Sequence, residues 1–369
     1  MSTESPSPLD RGVPSTDRLL ELIGRLEGRR VALLADLVAD RFLHGAPKRI
    51  SREAPVLILR LEDEQTIPGG GANAVANVAA LGGIPHALGA VGEDDAGREL
   101  LELFERDGIG TRHVLTSAGY RTPTKTRVMA GGRHAIKQQV VRYDVEDRWR
   151  PSDAELERLG SGLEDSGPGG AENRCIGAAV LSDYGYGAVT EKTVAALRSR
   201  LPGVPLLGDS RYSLGGLGGL DGATPNLEEA EELIGGPLET LADLEAGGRE
   251  LLGRLGARFL LITRGSSGMS LFERGRICHL PVHGTDQVAD VTGAGDTVIG
   301  SLALALAAGA TPLEAACLAN YAGGVVVMKV GTATLSRDEL RAAARRDAEM
   351  LSAIAISISP PAPGGKGRT

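Results

Sequence analysis

Asp290-Val-Thr-Gly-Ala-Gly-Asp296-Thr297, running on into Val298-Ile299-Gly300, sets two glycines against the apparent start of a helix. Glycines at such a turn let several backbone N–H groups converge on an anion, helped by the helix terminus. Asp296 then sits beside that hole, where a carboxylate can orient or deprotonate an attacking hydroxyl while the amides absorb charge on phosphoryl oxygens. An N-terminal helix cap on a tight turn would use the same residues. A dinucleotide fingerprint fits poorly, because Gly-Ala-Gly-Asp-Thr-Val lacks the final glycine at its usual offset and lies late in the chain. No GxxxxGK[ST] occurs, so a Walker A loop is excluded and phosphate binding needs another geometry.

Outward from this turn the chain alternates strand and helix patterns. VALLADL, from Val31, is an apolar run of strand length that leaves Asp36 and Asp40 near its end. PGGGANAVANVAALGG, from Pro68, is a glycine turn opening a small-residue helix that stops at Gly82 and Gly83. AAVLSDYG, TEKTVAALRSRL, VPLLGDS, ATPNLEEAEELI and FLLITRG continue the order up to the long helix after Asp296. This order predicts an α/β fold with a largely parallel sheet covered by helices. Residues 120–144 break the pattern: they alternate as two strands joined at Gly131-Gly132. One domain over 18–348 is expected, with 1–17 a disordered tail and 349–369 a flexible one.

Composition removes several classes of function. The 369 residues carry a net charge of −8, no long basic run and only 3% aromatics, which argues against nucleic-acid binding. Cys175, Cys278 and Cys317 are scattered, offering neither a disulfide scaffold nor a zinc pattern. His44, His86, His113, His134, His279 and His283 lack metal-ligand spacing, and only His134 falls where a lid contact is conceivable. The polar N-terminus has no secretory apolar core and the longest apolar run is too short for a bilayer, so a cytoplasmic protein without membrane partners is expected. Gly is abundant, at 52 residues, which suits tight turns and close approaches of backbone to ligand.

Eight pieces in order resemble the ribokinase-like (PfkB) carbohydrate kinases, and most of all their D-glycero-D-manno-heptose 7-phosphate kinase branch. They are RISREAPV (49–56), PGGGANAVAN (68–77), TPTKTRV (122–128), VVRYD (140–144), LSDYGYG (181–187), TPNLEE (224–229), TRG (263–265) and DVTGAGDTVIG (290–300). The resemblance implies a three-layer α/β/α sandwich with a small β-sheet lid drawn from about 40–65 and 120–144. It implies that Asp296 is the catalytic base and that Gly293, Ala294 and Gly295 form the anion hole. Asp36, Gly69, Gly70 and Asn73 would hold the sugar, with Lys125, Arg127 and Arg142 as donors to a phosphate already on it. Asn226, Glu229, Thr263, Gly265 and Asn320 would serve the nucleotide, Glu229 reaching Mg²⁺ through water. Asp183 and Asp209 are further acidic candidates near strand ends. Asp290 and Thr292 would support a monovalent cation such as K⁺.

The implied reaction is ATP-dependent phosphorylation of a sugar or sugar phosphate, with Mg²⁺. Fructose, ribose, a hexose phosphate or a nucleoside stand as alternative acceptors, and an inactive binding protein of the same fold as an alternative role. The family also implies a homodimer. Some members of the branch fuse a nucleotidyltransferase; here about 30 residues follow the match without an HxGH-type motif, so that step is expected from a separate protein. The chain departs from the pattern at Ala35, Arg52 and Ser210-Arg211, where Gly, Pro and Pro-Lys are usual.

Overall fold

A computed structural model describes residues 12–131, 137–163, 175–284, 289–329 and 331–358. Its centre is β1 (Arg30–Ala35), buried at every position and paired in parallel with β4 (Ile84–Gly92) on one side and β8 (Ile176–Asp183) on the other. β5 (Val114–Ser117) closes one edge. Beyond β8 the sheet continues through β9 (Leu206–Ser210), β10 (Gly222–Ala223) and β11 (Phe259–Thr263), all parallel. It ends in antiparallel β12 (Met269–Glu273), β13 (Arg276–Leu280) and β14 (Ala355–Ile358).

Unbroken burial along β1 is what a strand covered on both faces requires. Its alternate residues feed two cores. Val31, Leu33 and Ala35 join α1 (Thr16–Arg25), α2 (Gly71–Ala80), α3 (Asp95–Arg106), α8 (Ala294–Ala307), α9 (Pro312–Val326) and α10 (Arg337–Arg346). Ala32 and Leu34 join α5 (Glu191–Arg200), α6 (Leu227–Ile234) and α7 (Leu241–Leu255), with α4 (Asp153–Arg158) leading into that layer. The architecture is the expected three-layer α/β/α sandwich.

The out-of-pattern strands form a second sheet in the order β3 (Leu57–Gly70), β2 (Leu37–Ile50), β6 (Thr124–Ala130), β7 (Gln138–Val145). β2 follows β1 after the single residue Asp36, and β3 runs directly into α2. Both strands are buried where they leave the core and exposed at their far ends, as a lid is.

Both tails need correction. Val13 is buried and α1 begins at Thr16, inside the stretch expected to be disordered. Residues 349–358 are not a tail: α11 (Glu349–Ser352) buries Met350 and Leu351, and β14 pairs with the edge of β13. The alternating AIAISIS carried that strand signal, and an open sheet edge gave it a partner. Residues 1–11 and 359–369, with Gly132 and His134, lie outside the described residues.

Candidate active site

Gly293 takes φ +77° at the N-cap of α8, and no side chain caps the helix there. A Cβ at 293 would come within 2.5 Å of Asn73 Nδ2, so glycine serves here for both conformation and space. Of the first-turn amides, Ala294 N–H is taken by Val291 O at 3.2 Å, which leaves the N–H groups of Gly295 and Asp296 at the uncapped helix start. Asp296, one turn in, is 2% exposed. Tyr184 donates its phenol hydrogen to Oδ1 at 2.7 Å, and Asn73 Nδ2 donates to Oδ2 at 3.2 Å. Burial pushes the Asp296 carboxyl up to about 7; the bonds from Tyr184 and Asn73 and the charge of Lys125 oppose this, and Asp40 adds to it. A carboxylate with this poise is half-ionised near neutrality, as a general base should be.

The sugar side differs from expectation. Asp36 is 2% exposed, and its oxygens accept from the main-chain amides of Tyr184 (2.8 Å), Tyr186 (2.9 Å) and Ala188 (2.8 Å). Three of its roughly four lone-pair sites are thus taken by the loop at residues 184–188, which Asp36 anchors. Asn73 is likewise consumed: Nδ2 also donates to Gly293 O at 3.2 Å, and Oδ1 accepts from Asn77 at 3.1 Å. It ties α2 to the α8 turn.

Asp40, four residues on, faces the glycine turn and the lid. It is buried at the base of β2, meets Arg127 at 2.8 Å, and accepts from the Thr332 hydroxyl at 2.8 Å. A Cβ at Gly69 would stand 2.5 Å from Asp40 Cγ, so the glycine turn makes room for this carboxylate. Gly70 adopts φ +49°, and Gly71 is packed so that a Cβ would lie 2.5 Å from Ala35 Cβ. That contact accommodates the unusual Ala35. Asp40 stands at the strand end in sequence too, but nothing local separates it from Asp36.

Lys125 and Arg127 share the site-facing side of the lid with Asp40 and Phe42, their register partners on β2. Lys125 Nζ stands 5.1 Å from the Tyr184 ring centroid, and Arg127 stacks 5.3 Å over Phe42. Arg142 pairs across from Arg127 but is half exposed and forked onto Asp144 at 3.0 Å, well out on the edge strand.

On the other side of Asp296, a groove of about 200 Å³ includes Thr263, Gly265, Val282, Gly295, Asn320 and Val327 in its lining. Its surface is mostly apolar, which suits a base ring. Asn320 donates to Pro281 O at 2.7 Å, tying one wall of the groove to α9. Asn226 and Glu229 form a reciprocal capping box at the start of α6, each bond 2.9 Å. Asn226 also bridges to Thr263, joining this helix start to the groove.

Asp209, held by the Thr224 hydroxyl at 3.1 Å, is pushed up to about 8 by burial and by the charges of Asp296 and Glu229. Asp183 accepts from Ser210, Ser213 and the Gly185 amide, so it is a structural anchor. Ser210, at a departure from the family pattern, is thus part of that anchor. Asp290 accepts from the amides of Thr292 (2.9 Å) and Gly331 (3.1 Å); although burial acts to raise it, these bonds hold its carboxyl below the ordinary value.

A lidded α/β sandwich with a buried carboxylate at an uncapped glycine turn, set between an apolar groove and a charged cleft, defines a phosphoryl-transfer type of site. The family model described as pfkB family carbohydrate kinase matches residues 38–144 and 210–339, and the chain belongs to that family. It is 42% identical over 324 residues to the bifunctional protein HldE of Halorhodospira halophila, covering 85% of this chain and 63% of that protein. The HldE of Hyphomonas neptunium is 37% identical over 332 residues, covering 89% and 66%. The chain thus spans about two thirds of the length of these relatives. Phosphofructokinase-2 from Escherichia coli, solved with substrates and products, superposes with a TM-score of 0.67 over 86% of this chain and 99% of its own, at 20% identity. Ribokinase of Arabidopsis thaliana, solved with ribose and ATP, gives 0.63 over 86% and 99%, at 21%. These two share the fold.

Proposed function

We propose that the protein transfers the terminal phosphoryl group of ATP to a hydroxyl of a sugar phosphate, with the anomeric hydroxyl of D-glycero-D-manno-heptose 7-phosphate as the acceptor. The observation that carries this is the place of Asp296: buried, near-neutral in poise, at a helix start that no side chain caps and between groove and lid. The relatives at 37–42% identity direct the choice of acceptor to the heptose-phosphate branch.

In this mechanism the base lies in the groove along α9 and the triphosphate runs toward the α8 turn. Asp296 takes the acceptor proton as the oxygen attacks the γ-phosphorus, and the amides of Gly295 and Asp296 stabilise the phosphoryl oxygens. Asp40 accepts from a second sugar hydroxyl. Lys125 lies closest to the reacting end, while Arg127 and Arg142 extend the basic face toward a phosphate on the substrate. Closing the lid excludes water, a competing acceptor.

The residues present fit a hard divalent cation. Among the described residues no three acidic, His or Cys side chains converge tightly enough to hold a metal alone. Asp209 nonetheless bears unrelieved negative charge from Asp296 and Glu229, which Mg²⁺ carried by phosphates would relieve. Asp209 and Glu229 would hold it through water, and it would neutralise charge between the phosphates. A monovalent cation near Asp290 and Thr292 belongs to the same proposal.

Exposed Leu61, Val140, Val141 and Tyr143 on the lid support a homodimer formed through lids. A cytoplasmic setting, where ATP is plentiful, accords with the absence of any helix long and apolar enough to cross a membrane among the described residues.

The test is ADP release with heptose 7-phosphate beside hexose phosphates, ribose and fructose. Heptose-dependent turnover that drops at least about 10³-fold in Asp296→Asn is expected. Because the base must be ionised, kcat/KM should rise about tenfold per pH unit up to about 7 and then level. Turnover with another sugar alone would replace the acceptor, and turnover undiminished in Asp296→Asn would remove the base.

A further inference from the structure

Tyr184 has no role in the assignments above, yet four parts of the site meet on it. Its phenol donates to Asp296 Oδ1 at 2.7 Å. Its ring lies along the glycine turn, where a Cβ on Gly70 would come within 3.3 Å of Cε2. Lys125 Nζ stands 5.1 Å over the same ring. Its main-chain N–H is held by Asp36 at 2.8 Å, the anchor that also holds Tyr186 and Ala188. The lid, the glycine turn and the base thus meet on this side chain, while the end of β1 holds its main chain.

We propose that Tyr184 is a positioning residue for the reaction, its hydroxyl holding the Asp296 carboxylate in one orientation and in its ionised form. The step it serves rests on the kinase assignment; the contact itself does not. An ionised carboxylate offers about four lone-pair sites. Tyr184 occupies one on Oδ1 and Asn73 one on Oδ2, which leaves each oxygen able to accept from a substrate hydroxyl.

In the step, the acceptor O–H proton passes to Asp296, the new O–P bond forms at the γ-phosphorus, and the bond to the β–γ bridging oxygen breaks. Tyr184 keeps its proton throughout, because burial and the charge of Asp296 hold its phenol well above the ordinary value. Its effect is on when Asp296 is ready. Donation to a carboxylate favours the charged form, so losing the donor raises the proton affinity of the base by on the order of one pH unit.

The other groups facing Asp296 are Asp40 from β2, Asp209 from β9, Lys125 from β6 and Asn73 from α2. Tyr184→Phe alters none of them and keeps the ring between Lys125 and Gly70.

The experiment measures kcat/KM against pH for wild type and Tyr184→Phe, together with a ¹³C NMR titration of the Asp296 carboxyl, assigned with Asp296→Asn. In Tyr184→Phe both midpoints should move up by about one unit, with about fivefold less activity at pH 7. The alkaline plateau and the KM for ATP should stay within about twofold. Site-specific 3,5-difluorotyrosine, a stronger donor of the same shape, should move the midpoints down, and it keeps the test available if Tyr184→Phe folds poorly. Activity reduced equally at every pH, with unmoved midpoints, would mark Tyr184 as structural and overturn the proposal. If wild type turns over no sugar phosphate, the kinase assignment fails, while the NMR midpoint still decides the role of Tyr184.

Discussion

At the scale of single residues, the site is a set of buried carboxylates given different work by their partners. Asp36 has three amide donors and spends them on holding a loop. Asp296 has a phenol and an amide side chain, enough to keep it ionisable near neutrality. Asp209 has one hydroxyl and three acidic neighbours, Asp296, Glu229 and Asp183, and with burial its carboxyl is driven up to about 8. A carboxyl raised this way favours the folded state fully below its unfolded value of about 3.9. That contribution is lost as pH climbs to about 8. Asp209→Asn should therefore be more stable than wild type at pH 8 and nearly equal to it at pH 4, read by urea unfolding. It should also lose most of the stabilisation that Mg²⁺ with nucleotide gives the wild type. Equal pH slopes in the two proteins would count against a strained Asp209.

At the scale of elements, the β3–α2 junction rests on three consecutive glycines. Gly69, Gly70 and Gly71 let a strand turn directly into a helix while Asp40 and Ala35 press against the turn. A methyl group at 69 has no room beside Asp40, so Gly69→Ala should push that carboxylate out of register with the lid. The expected cost is about 1–3 kcal/mol of stability. The KM for sugar should rise about tenfold or more, with the KM for ATP little changed, because the groove lies on the far side of Asp296. A variant affecting both substrates equally would show that Asp40 is not the sugar-side group. The glycine turn and its helix were plain in sequence, since glycine runs and small-residue periodicity are local signals. What each glycine makes room for was not, because the colliding groups come from elsewhere in the chain.

At the scale of the whole molecule, the lid is held to the core by two continuous strands and by a polar tie at its base. Arg41 of β2 reaches Glu99 of α3 at 2.7 Å, and the Thr66 hydroxyl of β3 donates to the same Glu99 oxygen at 2.7 Å. A partly exposed ion pair of this kind contributes at most about 1 kcal/mol. Arg41→Ala should accordingly raise the KM for sugar up to about fivefold, leave kcat nearly unchanged, and speed hydrogen exchange in residues 37–70. High salt should narrow the difference from wild type by screening the pair. A large fall in kcat would mean that Arg41 acts on the chemistry rather than on the lid.

The sequence by itself determined the layered α/β plan, the two out-of-pattern strands within 120–144 and the glycine turn that opens α8. Each is written in local periodicity, glycine placement or a contiguous motif, and such features survive without knowledge of neighbours. Only the tertiary structure decided which aspartate is claimed by main-chain amides and which meets the lid. Asp36 and Asp40 end the same apolar run, but the amides that claim Asp36 come from residues 184–188, and the cation that meets Asp40 comes from residue 127. Likewise Tyr184 lay in view within LSDYGYG, yet its bond to Asp296 spans 112 positions. A side chain's role in a buried polar site is set by the donors that reach it, and those donors are brought together by the fold alone.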